Sequence, residues 1–137
     1  MTSPRPNARD SERFRLPGGR RRAYLVGVAL PGLPAFEAEE HLAELAALAD
    51  TAGVEVVGET VQTRKSLDPK FFIGSGKAHE LRAVVIEAGA DTVILDGELT
   101  PGQLRQLEDV VKVKVVDRTW LILDIFAQHA RSREGKA

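Results

Sequence analysis

The sequence predicts a small three-layer α/β domain, with a mainly parallel four-stranded sheet and helices on both faces. Three observations carry this. Short apolar runs alternate with longer segments of helical periodicity, the order reads β-α-β-α-β-α-β-α, and the connections between them are short. Alternation of this kind implies right-handed crossovers between parallel strands. No internal repeat or second domain is visible in the 137 residues, a length that supports one sizeable core.

Taken in order, Tyr24–Leu30 (YLVGVAL) is nearly continuously apolar and ends at Pro31, as suits a strand buried on both faces. From Ala35 to Ala52 the period changes. Leu42, Leu45, Ala46 and Ala49 recur at helical spacing among glutamates, and Gly53 stops the helix. Val54–Val61 reads as the second strand. Lys77–Ala88 reads as the second helix, with Leu81, Val84, Val85 and Ala88 on one face and Gly89 closing it. Thr92–Leu95 is the third strand.

The next start signal is specific. In Thr100-Pro101-Gly102-Gln103, threonine suits the N-cap, proline the first helical position, and Gln103 the capping-box position. Leu104, Leu107 and Val111 give that helix its buried stripe. Val113–Val116 is the fourth strand. Leu121, Ile122, Ile125, Phe126 and His129 mark the expected packed face of a final helix.

An apolar fraction of 43% and a charged fraction of 28% belong to an ordinary soluble globular domain. No apolar run is long enough for a membrane span, and the arginine-bearing N-terminus lacks the apolar segment of a secretory signal. The absence of cysteine excludes disulfides, thiolate metal sites and cysteine nucleophiles, and fits a cytoplasmic location. The net charge of −1 conceals an asymmetry: residues 1–22 hold seven arginines against Asp10 and Glu12, a balance of +5. With its prolines and glycines this segment reads as a disordered basic arm, either an RNA-phosphate contact or a solvated tail, ahead of the folded domain at 23–137.

The stretch DPKFFIGSGKAHE, residues 68–80, raises the question of a phosphate-binding loop. A P-loop requires G-x-x-x-x-G-K-[ST]; aligning Gly76-Lys77 with its G-K pair puts Phe71 at the first glycine and Ala78 at the magnesium-holding hydroxyl. The dinucleotide fingerprint fails too, at His79. Two readings of Gly74, Ser75, Gly76 and Lys77 remain: a tight turn into a helix, or backbone N–H groups at a helix N-terminus that hold an anion.

Three blocks stand in order: RKSLDPKFFIGSGK at 64–77, DGELTPGQLR at 96–105, and VDRTWLILDIFAQHARSREGK at 116–136. Together they resemble the N-terminal domain of the HflX family of ribosome-associated GTPases, over about residues 23 to 137. The family's D-P-x-x-x-I-G-x-G-K pattern is matched at Asp68, Pro69, Ile73, Gly74, Gly76 and Lys77, and the DRTxLILDIFAQ run is the most diagnostic part. Trp120 departs from the smaller or variable residue expected there. The resemblance implies that a helical hairpin and a GTPase domain with a true P-loop follow this domain in full-length members, where GTP and magnesium belong. No catalytic residue, cofactor or metal is carried over to this chain, which is expected not to be an enzyme. What carries over is help in associating with the large (50S) ribosomal subunit, in translation or ribosome rescue and biogenesis. Ribosomal RNA and the family's GTPase domain are the expected partners, with neither membrane nor DNA. Some members are credited with ATP binding in their N-terminal half, for which the Gly74–Lys77 loop is the candidate.

Arg64, Lys65, Lys70 and Lys77 cluster about this loop, where Arg64 and Lys65 follow the second strand at the rim on which α/β sheets gather ligands. Arg118, Arg131 and Arg133 form a second basic set. The first set is either an RNA contact or a solvated basic rim; the second, on a helix that continues in the full-length family, is either an interdomain or a ribosome-facing surface. Asp68, Asp96, Asp117 and Asp124 suit caps and turns better than catalysis, since no nucleophile or histidine is expected beside them. His41, His79 and His129 fall on three separate helices, which makes no metal site. Tyr24, Phe71 and Phe72 read as core before base-stacking groups. Three functions follow: a non-catalytic docking domain, a nucleotide-binding enzyme domain using Gly74–Lys77, or an intramolecular regulator of a GTPase domain.

Overall fold

The computed structural model describes residues 20–136, with side chains as far as Ala130. Four strands and four helices alternate: β1 (Arg22–Ala29), α1 (Ala35–Thr51), β2 (Glu55–Thr63), α2 (Ser75–Ala88), β3 (Thr92–Leu95), α3 (Pro101–Val111), β4 (Lys114–Asp117) and α4 (Arg118–Lys136). All pairings are parallel, in the order β2-β1-β3-β4. The chain therefore goes outward from β1 to β2, returns across β1 to β3, and continues to β4.

Strand alternation sorts the core into two halves. Val26, Val93, Leu95 and Val115 face α2 and α3, where Leu81, Val85, Leu107 and Val111 meet them. Ala23, Leu25, Ile94 and Val116 face α1 and α4, against Leu42, Leu45, Ala49 and Leu121. Helices thus cover both faces, and β3 is buried along its whole length. Because α1, which leaves β1, and α3, which leaves β3, lie on opposite faces, the connections diverge at the carboxyl ends of β1 and β3, the topological switch point of such sheets.

The helix ends follow local chemistry. Gly53 has φ +84°, and its N–H donates to Asp50 O at 3.0 Å while Val54 N–H donates to Ala49 O at 2.8 Å, closing α1. Gly89, at φ +71°, closes α2 in the same left-handed conformation. The capping box of α3 is complete: Gln103 N–H donates to Thr100 Oγ1 at 3.1 Å, and Thr100 N–H to Gln103 Oε1 at 2.9 Å. Lys112 ends α3 at φ +64°, a left-handed cap without glycine.

The packed face of α4 differs from expectation. Leu121 is buried, Ile125 packs against the same core half, and Gln128 Nε2 donates to Ala52 O at 3.4 Å. The inward stripe is thus 121, 125 and 128, while Phe126 is 66% exposed and His129 is exposed. The two stripes share Leu121 and Ile125, and their centres differ by about 65° around the helix.

The proposed N-terminal arm lies outside the described residues up to residue 19. Its last arginines belong to the fold: Arg22 opens β1 and its Nε donates to Gly89 O at 2.9 Å, while buried Arg21 pairs with Asp91 at 3.6 Å. Beside them, burial lowers the pKa of the Lys114 ammonium; Glu108 opposes this and Arg21 adds to it. Among the described residues, no helix is long and apolar enough to cross a membrane.

β4 runs into α4 without a loop, and Asp117 is the joint. Its Oδ1 accepts from Trp120 N–H at 2.9 Å, capping α4, and its Oδ2 accepts from buried Leu99 N–H at 2.8 Å. Asp117→Ala removes the cap and strands a buried donor. Urea unfolding should show a loss of roughly 2–4 kcal/mol, with an unchanged m-value.

Candidate functional site

The 64–77 block forms a tight loop between β2 and α2. Asp68 Oδ2 accepts from Lys70 N–H at 2.9 Å and Phe71 N–H at 2.7 Å, and the Asp68 and Phe72 backbones exchange bonds of 3.2 and 2.8 Å. This turn puts Phe72 at φ +69°, a strained region for an aromatic residue. Its ring is held there by the core and by Gly97, where a Cβ would lie 2.6 Å from Phe72 Cζ. Gln103 Nε2 then donates to Asp68 O at 2.9 Å. The first two signature blocks are therefore locked together through both side chain and backbone.

Gly74 is the N-cap of α2. Its N–H donates to Gln62 Oε1 at 2.9 Å, and its open side faces Arg64, whose Nη1 would stand 2.5 Å from an added Cβ. Ser75 and Gly76 are exposed, and their N–H groups lie in the first turn, where a helix supplies no internal partners. A Cβ at Gly76 would meet nothing within 4 Å, so packing does not require that glycine. Lys77 is 21% exposed and pairs with Glu80 at 3.4 Å. The loop thus spends one N–H and its lysine on internal partners and offers an anion only a helix end.

The acidic candidates have structural partners. Asp96 Oδ1 accepts from Arg118 Nε at 2.8 Å, Asp117 acts as described above, and Asp124 accepts from Gln128 at 2.7 Å. Arg118 is the hub of the third block. Its Nη2 donates to His41 O at 2.9 Å, its Nη1 lies 4.0 Å from Glu44, and its N–H donates to Gly97 O at 3.3 Å. It ties α4 to α1 and to the loop after β3.

Arg64, Lys65 and Lys70 all lie on the loop beyond β2. Lys65 and Lys70 are exposed and Arg64 is half-buried, its Nε donating to Ser66 O at 2.8 Å. Lys70 Nζ stands 5.2 Å from the Phe71 ring centroid. Among the described residues none of these three cations pairs with a carboxylate. Arg118 lies at the opposite end of the same rim. Arg131 and Arg133 fall on the last turns of α4, where side chains are outside the described residues.

His79 Nδ1 donates to Ser75 O at 2.8 Å, and its ring meets Phe71 edge-on at 6.1 Å. The three histidines stay on separate helices, and among the described residues no group of three or more acidic or histidine side chains is placed to hold a metal. Phe71 and Phe72 are buried. Tyr24 is half-buried, its ring lying over Gly58, and its hydroxyl pKa is raised by burial, then by Glu59 and Glu80. Sequence reasoning missed Gln62 and the second role of Gln103: a strand-end glutamine carries no local signal of a partner twelve residues away.

Comparison with known proteins gives one answer. The family described as GTP-binding GTPase N-terminal matches residues 39–127. GTPase HflX of Caldanaerobacter subterraneus subsp. tengcongensis is 49% identical over 114 residues, 83% of this chain and 26% of that protein. GTPase HflX of Escherichia coli (strain K12) is 47% identical over 97 residues, 71% of this chain and 23% of that protein. This chain thus spans about a quarter of the length of these curated relatives. Among solved structures, that of SsGBP in complex with GDP superposes with a TM-score of 0.61 at 28% identity, covering 85% of this chain and 32% of that one. A GTP-binding protein from the hyperthermophilic archaeon Sulfolobus solfataricus, also with GDP, gives 0.57 at 26% identity, covering 78% and 30%. On a family match over residues 39–127 and identities of 47–49% over 71–83% of this chain, the chain belongs to the GTP-binding GTPase N-terminal family, as the N-terminal domain of HflX-type GTPases.

Proposed function

We propose that this chain is a non-catalytic docking domain that helps an HflX-type GTPase associate with the large ribosomal subunit in the cytoplasm, through phosphate contacts to ribosomal RNA. One observation carries this reading. At the carboxyl rim of the sheet, Asp68, Asp96 and Asp117 are all engaged by internal donors, while among the described residues Arg64, Lys65 and Lys70, on a braced loop, have no carboxylate partners. That arrangement supplies positive charge and no acid–base or nucleophilic pair. GTP and magnesium would belong to the GTPase part of the longer relatives, and the rim would position that part on RNA. Lysines on a fixed loop suit this task, since phosphate contacts set register and orientation without reading sequence.

Co-sedimentation with purified large ribosomal subunits at two salt concentrations tests the proposal. Pelleting should be salt-sensitive and indifferent to ATP and magnesium. The Lys65→Ala/Lys70→Ala double variant should lower the slope of log affinity against log salt by roughly 1.4–1.8, at about 0.7–0.9 for each phosphate that is no longer neutralised. No pelleting at low salt sinks independent docking and leaves a role toward the GTPase part itself.

The competing nucleotide reading makes an opposite prediction at Lys77. Magnesium-dependent ATP retention abolished by Lys77→Ala would replace the docking proposal. Docking through Lys65 and Lys70 instead predicts no such retention in equilibrium dialysis, and pelleting in Lys77→Ala within about twofold of the parent chain.

A further inference from the structure

The sheet ends at β2, and that edge is long. β2 runs for nine residues, Glu55–Thr63, without proline, and among the described residues it pairs only with β1. β4, at the other edge, has four residues. Arg64 N–H donates inward to Ala29 O at 2.9 Å, so alternation along the strand turns the N–H and C=O groups of Glu59, Val61 and Thr63 outward. Tyr24 Oη reaches Glu59 O at 3.4 Å, a long approach that leaves the other outward groups available.

Proteins commonly protect an edge strand with bulges, prolines or charges. Here the register shifts between Ala23 and Tyr24, which places Val57 as an extra residue and kinks the amino half of the edge. The carboxyl half, Gly58–Thr63, pairs regularly with β1. Charge along the edge is polarised: Glu59 comes early, Glu55 before it being paired with Arg22 at 3.7 Å, and Arg64 and Lys65 follow the strand's end. A strand with this polarity opposes a parallel copy of itself and complements an antiparallel one.

We infer that the carboxyl half of the β2 edge is a self-association surface, taking the same edge of a second copy of this chain antiparallel about Val61. In that register Val61 faces Val61, and Glu59 faces Thr63 next to the other copy's Arg64 and Lys65. The outward groups exchange about six backbone hydrogen bonds. Glu59 is four positions from its own counterpart, so like charges do not meet. The covering layer fits as well. α1 packs across β1 and β2 on one face, so joining two sheets at the usual strand spacing sets two α1 helices side by side about 9–10 Å apart, a normal packing distance.

Sedimentation equilibrium over a range of concentrations tests this with the whole chain. The parent should show a reversible monomer–dimer equilibrium. Thr63→Pro removes an outward N–H at an exposed position, leaves the ladder to β1 intact, and should weaken dimerisation at least about tenfold. Glu59→Lys should weaken it too, and Glu59→Lys/Lys65→Glu should restore it. That swap decides the matter should the proline variant lose its thermal transition. A parent that stays monomeric at every concentration overturns the inference, as does a dimer indifferent to the charge variants, which would place the contact elsewhere.

Discussion

One buried carboxylate sits where the strands hand over to the last helix. Asp117 is both the final residue of β4 and the cap of α4, so the helix has no loop in which to adjust its departure from the sheet. A carboxylate 5% exposed is costly unless its oxygens are occupied. Both are, by Trp120 N–H and Leu99 N–H, and the helix dipole adds to the effect. The bond to Leu99 draws the loop after β3 against the start of α4. Arg118, the next residue, is thereby delivered to Asp96, and its remaining donors reach α1 through the carbonyl of His41. Fixing Asp117 fixes how both helices of one layer meet the carboxyl rim.

The three sequence blocks at 64–77, 96–105 and 116–136 meet in this brace. They lie apart in the chain but touch in the fold: Gln103 to Asp68, Phe72 to Gly97, Leu99 to Asp117, Asp96 to Arg118. Three aspartates, Asp68, Asp96 and Asp117, are thus engaged in holding one rim together, in the capping and turn roles that suited them in the sequence. That rigidity also bears on the proposed docking. Lys65 and Lys70 flank a turn pinned by the Asp68 side chain, by Gln103 and by an inserted aromatic ring, so presenting them to a polyanion costs less ordering entropy than two lysines on a free loop would.

Most of the fold was legible because its signals are local. The period of Leu42, Leu45 and Ala49, the glycines that take positive φ after α1 and α2, and Thr100 with Gln103 are read within a few residues and came out as expected. What escaped depends on tertiary partners. Two apolar stripes lie side by side on α4, and only the position of α1 decides that Leu121 and Ile125 turn inward while Phe126 does not. Phe72 and Lys112 take left-handed conformations usually announced by glycine, so nothing in their identity marks them. At the candidate site, the presence of Arg64, Lys65 and Lys70 on one loop was visible in the sequence. The diversion of Gly74 N–H to Gln62 and of Lys77 to Glu80 was not, because spacing cannot show which neighbour fills a donor's valence first.

The basic rim and the β2 edge share residues, and this couples the two proposed surfaces. Arg64 and Lys65 leave the end of β2, so a copy paired antiparallel there sets its glutamate beside the cations that would otherwise face RNA. The same two-fold arrangement points the carboxyl rims of the two copies in opposite directions, so a flat polyanionic surface can engage only one of them. Tighter binding to one form than to the other shifts the equilibrium by mass action. RNA would draw the domain toward its monomer, and a high concentration of free domain would hold the basic rim in reserve. The coupling needs no conformational change within the domain, because the same few charges at the end of one strand serve either partner.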